Sequence, residues 1–368
     1  MANEIEKVNT IAIADIEKFN GKTDDNMEKI NAFEFTGVVL PAWAGTRGVV
    51  LGGAGNISGS TTSTSLIQYK TFTSDSATQS FGNLNSDRDT PKGSGGNRTR
   101  VIHAGGKADP SSGDTTHNID IIDYITVGST GDGTDFGDLH TGQNAGGHDG
   151  ASNATLLFCN GGYNGSENLN NMEYLTIAST GNGTDAGDLE QGQSNHATSN
   201  GDSKYLIMGG YTGSGYPREE VSTHTFHTSN NASDYGNVGV YGIYGAGTAC
   251  ATDRVVVAGG FTGTSAWTVG NQMQYFPVAS SADGLDFGDI HEAGKYLCGT
   301  SDGTRGEFYG GIEVATGVSV VQNTIEKITI ASTGNTTDVG DMVAQDITGG
   351  TGFNENGGLY GGAAQTGT

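Results

Sequence analysis

Two triplets of aspartate are the first places in this sequence where chemistry is possible. Asp132, Asp135 and Asp138 lie three apart, and so do Asp283, Asp286 and Asp289. Carboxylates clustered among glycines can hold Ca²⁺ through oxygen ligands, which makes Asp132, Asp135, Asp283 and Asp286 the candidate metal set. The third Asp of each triplet falls in a recurring tetrad described below, and Asn182 and Asn335 replace the first in two related stretches. No full EF-hand spacing is present. Aspartate in a glycine-rich turn also hydrogen-bonds nearby backbone, and that is the preferred reading, with no metal site expected.

The other reactive residue types are dispersed. His148 and His196 sit in small-residue stretches, where a satisfied core or channel histidine is preferred to a ligand. Cys159, Cys250 and Cys298 are odd in number and lie in apolar or small-residue contexts, so buried free thiols and no disulfide are expected. The chain has no G-x-S-x-G elbow, H-E-x-x-H pair or phosphate loop. Neither a cofactor nor an enzymatic activity is expected. Tyr216 and Trp267 stand in variable loops, where an aromatic side chain can stack on a sugar or pack on a protein.

The elements that position these residues are repeats. IIDYITVGSTGDGTDFGDL (121–139), NMEYLTIASTGNGTDAGDL (171–189) and TIEKITIASTGNTTDVGDM (324–342) are one unit written three times, with worn copies at 66–84, 221–238 and 272–290. Each opens on seven residues rich in β-branched and aromatic types and turns through Ser, Gly, Asn and Asp. Each closes on a tetrad such as Phe136-Gly137-Asp138-Leu139, so each reads as a strand hairpin. Between the hairpins, apolar strands end in glycine doublets whose second members are Gly53, Gly106, Gly162, Gly210, Gly260, Gly311 and Gly362. A small-residue stretch such as GTACAT (247–252) precedes each doublet strand. Four strands per unit at a period near fifty residues predict an all-β propeller over 37–368. Seven doublets favour seven blades; six complete hairpins allow six.

Composition agrees. Sixty-three glycines and 34% hydrophobic residues suit short strands joined by tight turns better than a helical core. Seventeen basic against forty-one acidic residues give a formal charge of −24, which argues against nucleic-acid or anionic-membrane partners. No stretch approaches eighteen consecutive apolar residues, so no membrane insertion is expected. The beginning, MANEIEKVNT, lacks an apolar leader core, so no signal peptide is expected.

Residues 1–36 differ from everything after them: they are the most charged and the poorest in glycine. Their periodicity does not decide between helix and strand. Ile16-Glu17-Lys18-Phe19-Asn20 is echoed by Met27-Glu28-Lys29-Ile30-Asn31, and Ile5-Glu6-Lys7 echoes Ile325-Glu326-Lys327. The segment is read either as a strand that closes the last blade or as a docking arm, with Ile5, Ile11, Ile13, Ile16 and Phe19 as its contact residues.

A strand ending in Gly-Gly, a variable loop, a strand carrying Tyr69, Tyr124, Tyr174 or Tyr275, and a closing aromatic together resemble the kelch repeat. The closing position departs from kelch, where Trp is usual: here stand Phe81, Phe136, Ala186, Tyr235, Phe287 and Val339. The run TGDGTDF (130–136) is similar to the Asp-box hairpin of sialidases, one residue short, and that box is structural. The phrase at 172–189 is more similar still to kelch-like proteins of tailed bacteriophages, particularly those of marine cyanobacteria. EIEKVNTIAIADIEKFNG (4–21) resembles N-termini of phage structural proteins that are not propellers. The resemblance implies a structural protein of the virion, in the tail, neck or fibre, present in multiple copies. It would contact other virion proteins, with a host-surface glycan or protein as an additional candidate partner, and would be released by lysis. The alternative is a propeller that binds or processes host glycans.

Overall fold

The structure, a computed structural model, describes residues 45–342 apart from 58–59, 90, 109–117, 141–149, 216, 240–241, 264–267, 292 and 316–317. It also describes the strand Gly362–Thr366 and six two-residue strands within the first 34 residues. The chain divides into two compact units, 1–40 and 41–368. All described regular structure is strand, and no helix is long and apolar enough to cross a membrane.

In the larger unit five four-stranded sheets and one five-stranded sheet, all antiparallel, follow one another in a ring, the arrangement of a six-bladed β-propeller. The third blade shows the common order from axis to rim: Ala151–Ser152, Leu156–Asn160, Asn171–Thr176, Thr184–Asp188. In the second blade Arg88–Asp89 and Gly93–Gly96 both pair with Arg100–Ala108. The innermost strands are short and made of small residues, as in Ala151–Ser152, Ala197–Thr198 and Gly247–Cys250, because six of them crowd the axis. The second strands are buried almost throughout: Leu156–Asn160 is fully enclosed. The third strands send successive residues to opposite faces: Met172 and half-buried Tyr174 join one inter-blade layer and Leu175 the other. Each sheet therefore packs both faces on its neighbours, and the core is a series of inter-blade layers such as Ile102, Ile122, Phe136, Leu157 and Leu175.

The blade number is six, the lower of the two counts. The seventh doublet does not found a blade. Gly362 begins the strand Gly362–Thr366, which pairs with Arg47–Leu51 as the innermost strand of the first blade. The innermost strand of the first blade is thus Gly362–Thr366, and the described strands within residues 1–36 pair with one another. In a unit of their own they form three two-stranded hairpins: Lys7–Val8 with Ile11–Ala12, Lys18–Phe19 with Lys22–Thr23, and Lys29–Ile30 with Phe33–Glu34. Their first strands begin eleven residues apart. The two-copy echo noted above is thus threefold, with Ile5-Glu6-Lys7-Val8-Asn9 as its first member. The intervening pairs Asn9-Thr10, Asn20-Gly21 and Asn31-Ala32 all start with Asn, a residue suited to two-residue hairpin turns. The side chains of Ile5, Ile11, Ile13, Ile16 and Phe19 lie outside the described residues.

Two glycine positions make the ring possible. The first six doublets take positive φ at both members, for example +55° and +113° at Gly161 and Gly162, which only glycine adopts without strain. The glycine of each closing tetrad lies against the chain of the next blade around the ring. A Cβ on Gly137 would stand 2.6 Å from the Gly181 carbonyl oxygen, and one on Gly288 would stand 2.5 Å from that of Gly334. Gly340 of the sixth blade meets Ser76 and Ala77 of the first in the same way. In all six blades the pairing of third and fourth strands shifts register, as at Ile122/Asp123 and Met273/Gln274. Such a bulge bends the outer strand toward its neighbour.

Gly137→Ala is therefore expected to lower stability by about 2–4 kcal/mol, through clash and a strained φ of +145°. Gly131→Ala, where a Cβ meets nothing within 4 Å, should stay within about 0.5 kcal/mol. Thermal and denaturant unfolding of the two variants side by side would check this, and equal losses would refute the inter-blade role of Gly137.

Candidate functional site

The aspartates singled out in the sequence serve the joints between blades. Asp132 Oδ1 accepts the backbone N–H of Asn83 at 2.9 Å, and Asp283 Oδ1 accepts that of Asn237 at 2.9 Å. Asn182, Asn231 and Asn335 do the same for Asp138, Asp188 and Asp289. Asp135 and Asp286 point outward from the rim strands and are exposed. Among the described residues no three His, Cys, Asp or Glu side chains gather at metal-binding distance.

A second set of joint residues escaped the sequence reading. The residue just before the strand tyrosine is polar yet buried in four blades, Gln68, Asp123, Glu173 and Gln274, and Glu326 holds the same position before Lys327 in the sixth. Asp123 accepts the backbone N–H of Asn85 at 3.1 Å, Glu173 that of His140 at 2.9 Å, Gln274 that of Gly239 at 2.5 Å and Glu326 that of His291 at 2.9 Å. The available signal was a polar residue in an otherwise apolar strand at every repeat. Arg47, Arg100 and Arg254 complete the pattern. Each guanidinium lies 4.2–4.8 Å from the tyrosine ring of its own blade and donates to a carbonyl of the next: Val127, Ile177 and Ile330.

Groups with catalytic potential are consumed in the same way. Ser94 Oγ lies 2.7 Å from His103 Nδ1, a spacing suited to a nucleophile and its base. Both residues are buried, and burial pushes the His103 imidazole well below its ordinary range, so the ring is neutral and no substrate reaches it. Arg88 and Asp123 meet at 2.7 Å and Lys92 and Glu173 at 2.5 Å, all enclosed. Burial brings the Arg88 guanidinium down to about 10. At the seam between the sixth and first blades Lys70 meets Glu307 at 2.6 Å, both fully enclosed. Tyr309 Oη donates to the same carboxylate at 2.5 Å. At that seam Ala77 occupies the position that Asp132 holds in the second blade. Asp75, bound to Lys327 at 2.6 Å and Arg305 at 2.7 Å, ties the blades there. The hydrogen bond from Lys327, with that from Arg305, holds its carboxyl down to about 2. Cys159, Cys250 and Cys298 are free and buried, and burial pushes the Cys159 thiol up to about 12. His196 is buried, and His148 lies outside the described residues.

Among the described residues a cleft of 820 Å³ opens on the face that carries the doublets. It lies between the loops that follow the doublets of the third and fourth blades. Tyr163, Asn168, Ser194, Asn195, Tyr211 and Tyr244 are among its walls. The positive φ of 52° at Asn195 and 58° at Tyr296 belongs to a stack of left-handed residues on successive blades. The Tyr296 N–H donates to the Gly245 carbonyl, and the Gly245 N–H to that of Asn195. Asn195 Nδ2 donates to Tyr244 Oη at 3.0 Å, and Tyr296 Oη to the same oxygen at 3.1 Å. Burial raises the Tyr244 phenol above its ordinary range, so it stays protonated. From the cleft an aromatic series continues over the next blades: Tyr211 and Tyr244 at 6.1 Å, Tyr244 and Phe261 at 5.8 Å, Phe261 and Tyr296 at 6.2 Å.

Tyr216 and Trp267 lie outside the described residues, though the loops that carry them were singled out and Tyr211 and Phe261 begin those loops. The missed signal is an aromatic directly after the doublet: Gly162-Tyr163, Gly210-Tyr211 and Gly260-Phe261. No family model matches this chain, and no curated protein matches it. The likeness to kelch and phage proteins rests on the residues quoted above.

Glu307→Ala should cost about 3–5 kcal/mol, because it strands a buried lysine. The pair Lys70→Met with Glu307→Leu should cost clearly less. Denaturant melts of the single and double variants test this; a double variant as damaged as the sum of its singles would refute direct pairing. In the native protein the three thiols should resist alkylation, and all three should react once it is unfolded. Mass spectrometry of the labelled chain reads the outcome.

Proposed function

We propose that this chain is a non-enzymatic structural and adhesion protein of a tailed-phage particle. In this reading the six-bladed propeller is a rigid display platform and the first 36 residues are its mounting. The observation that carries the reading is the disposition of polar chemistry. In the described ring enclosed ion pairs such as Lys70–Glu307 and Lys92–Glu173 hold blade to blade, and an aromatic and amide-lined cleft opens on one face. A scaffold of that kind binds without turning over. The mounting role draws support from a separate unit at 1–40 whose eleven-residue hairpins share no period with the blades. Three similar hairpins offer a partner three similar contacts, which multiplies a weak affinity. The partners are other virion proteins at the mounting and a host-surface glycan or protein at the doublet face.

A chain beginning at Gly37 should fold with the melting temperature of the full chain within about 3 °C, yet fail to enter particles. Gradient-purified particles assembled with the tagged full or shortened chain would be assayed by immunoblot. Equal incorporation of the shortened, folded chain would overturn the mounting role, and absence of the full chain from particles would overturn the virion assignment.

A further inference from the structure

We infer that the cleft between the third and fourth blades binds a neutral oligosaccharide. The inference rests on the reading of the doublet face as a recognition face and names what that face recognises.

Four features of the cleft select this class. First, Tyr163, Tyr211 and Tyr244 are each only partly buried there, and the C–H face of a pyranose packs on the electron-rich face of such a ring. Second, the polar lining is of amides and hydroxyls, including Asn168, Asn195, Ser194 and Thr212. Each sugar hydroxyl is both donor and acceptor, and an amide offers both on one plane. Third, the enclosed Oδ1 of Asn168 has no hydrogen-bond donor among the described residues. An orphaned acceptor of this kind costs stability, and a hydroxyl is the partner it lacks. Asn168 lies beside the rim loop at Gly213, whose φ of +94° favours glycine and where a Cβ would come 3.2 Å from Asn168 Nδ2.

The fourth feature is charge. Glu167 is the one ionisable carboxylate of the lining, and no lysine or arginine accompanies it. On a chain of net charge −24 this disfavours uronic acids, sialic acids and phosphorylated sugars. The lining has no Leu, Ile, Val, Met or Phe, so it lacks the apolar socket that anchors a peptide side chain. A volume of 820 Å³ falls in the range of small-ligand sites and accommodates about two or three sugar rings. The hydrogen bonds of Asn195 and Tyr296 to Tyr244 fix the floor before the ligand arrives, which limits the ordering cost of binding.

The test begins with the labelled full chain on a printed array of neutral and anionic oligosaccharides. Titration calorimetry with the best neutral member follows, on the native chain, Tyr211→Ala and Asn168→Ala. Expected is binding confined to neutral glycans and weakened about tenfold or more in each variant, with melting temperatures near native. Binding to no glycan, equal binding to anionic ones, or unchanged affinity in both variants overturns the inference. A parallel assay asks whether the soluble chain competes with particles for host cells treated with periodate or with protease. Competition abolished by periodate supports the sugar. Competition abolished only by protease overturns the sugar while leaving the recognition face standing, and no competition on untreated cells overturns both.

Discussion

The joint between blades is made mainly of backbone, and everything else in the ring depends on it. The stretch before each rim strand lies along the rim strand of the preceding blade. Gly131 N–H donates to Phe81 O, Gly181 to Phe136 O, Gly284 to Asn237 O and Gly334 to Phe287 O. Ala232 N–H donates to Asp188 O and Thr78 N–H to Asp341 O, so all six joints, including the seam, carry such a bond. Peptides can come this close only where no Cβ intervenes. That is why the tetrad keeps its glycine in all six copies while its aromatic varies from Phe to Tyr, Ala and Val. An open series of such sheets would leave strand edges to pair with other chains; the C-terminal strand on Arg47–Leu51 removes the edge on the axis side of the first blade.

The same joints redistribute the charge. Arg47, Lys70, Arg88, Lys92, Arg100, Arg254 and Arg305 all bond within or between blades, a large share of the chain's seventeen basic residues. The acidity of the composition is accordingly concentrated outward. A negative exterior keeps a repetitive β-protein dispersed and disfavours the approach of anions. Buried ion pairs add little net stability over well-packed apolar residues, but an unpaired buried charge is costly. Each pair therefore penalises wrong partners between sheets that otherwise look alike.

Much of the fold was legible because the repeat states its geometry six times. Tyr-rich strand, Ser-Thr-Gly turn and tetrad each map onto an observed element, and the GTACAT stretch lies at the axis as its small residues require. The blade number was less legible. The doublet ending at Gly362 looks like the other six locally, and only pairing between residues more than three hundred apart shows that it completes the first blade. The Gln68, Asp123, Glu173 set was missed because a lone polar residue in a strand looks like an exposed one. Its repetition beside a half-buried tyrosine was the clue. For the calcium candidates, spacing along the chain put Asp132 and Asp135 close in sequence, but the Asp132 carboxylate accepts the Asn83 N–H of the preceding blade while Asp135 is exposed on the rim strand.

The cleft was the least legible feature because it is made by what the repeat leaves out. Loops after the doublets in the first, fifth and sixth blades build secondary hairpins, at Ala54–Ile57 with Ser60–Ser63, Phe261–Thr262 with Thr268–Val269, and Ile312–Ala315 with Val318–Val321. The third and fourth blades carry shorter loops, with isolated bridges at Tyr163–Asn168 and Ser194–Tyr211 in place of hairpins. A ring with equal loops presents an even rim, whereas low loops on two adjacent blades leave a trough. Its floor is then the connection between those blades, where Ser194 and Asn195 hold the entering chain. The invariant joints keep that trough rigid, so loop sequence can change without loosening the platform. Binding character in such a molecule can change through residues such as Tyr163, Asn168 and Tyr211, which no joint requires.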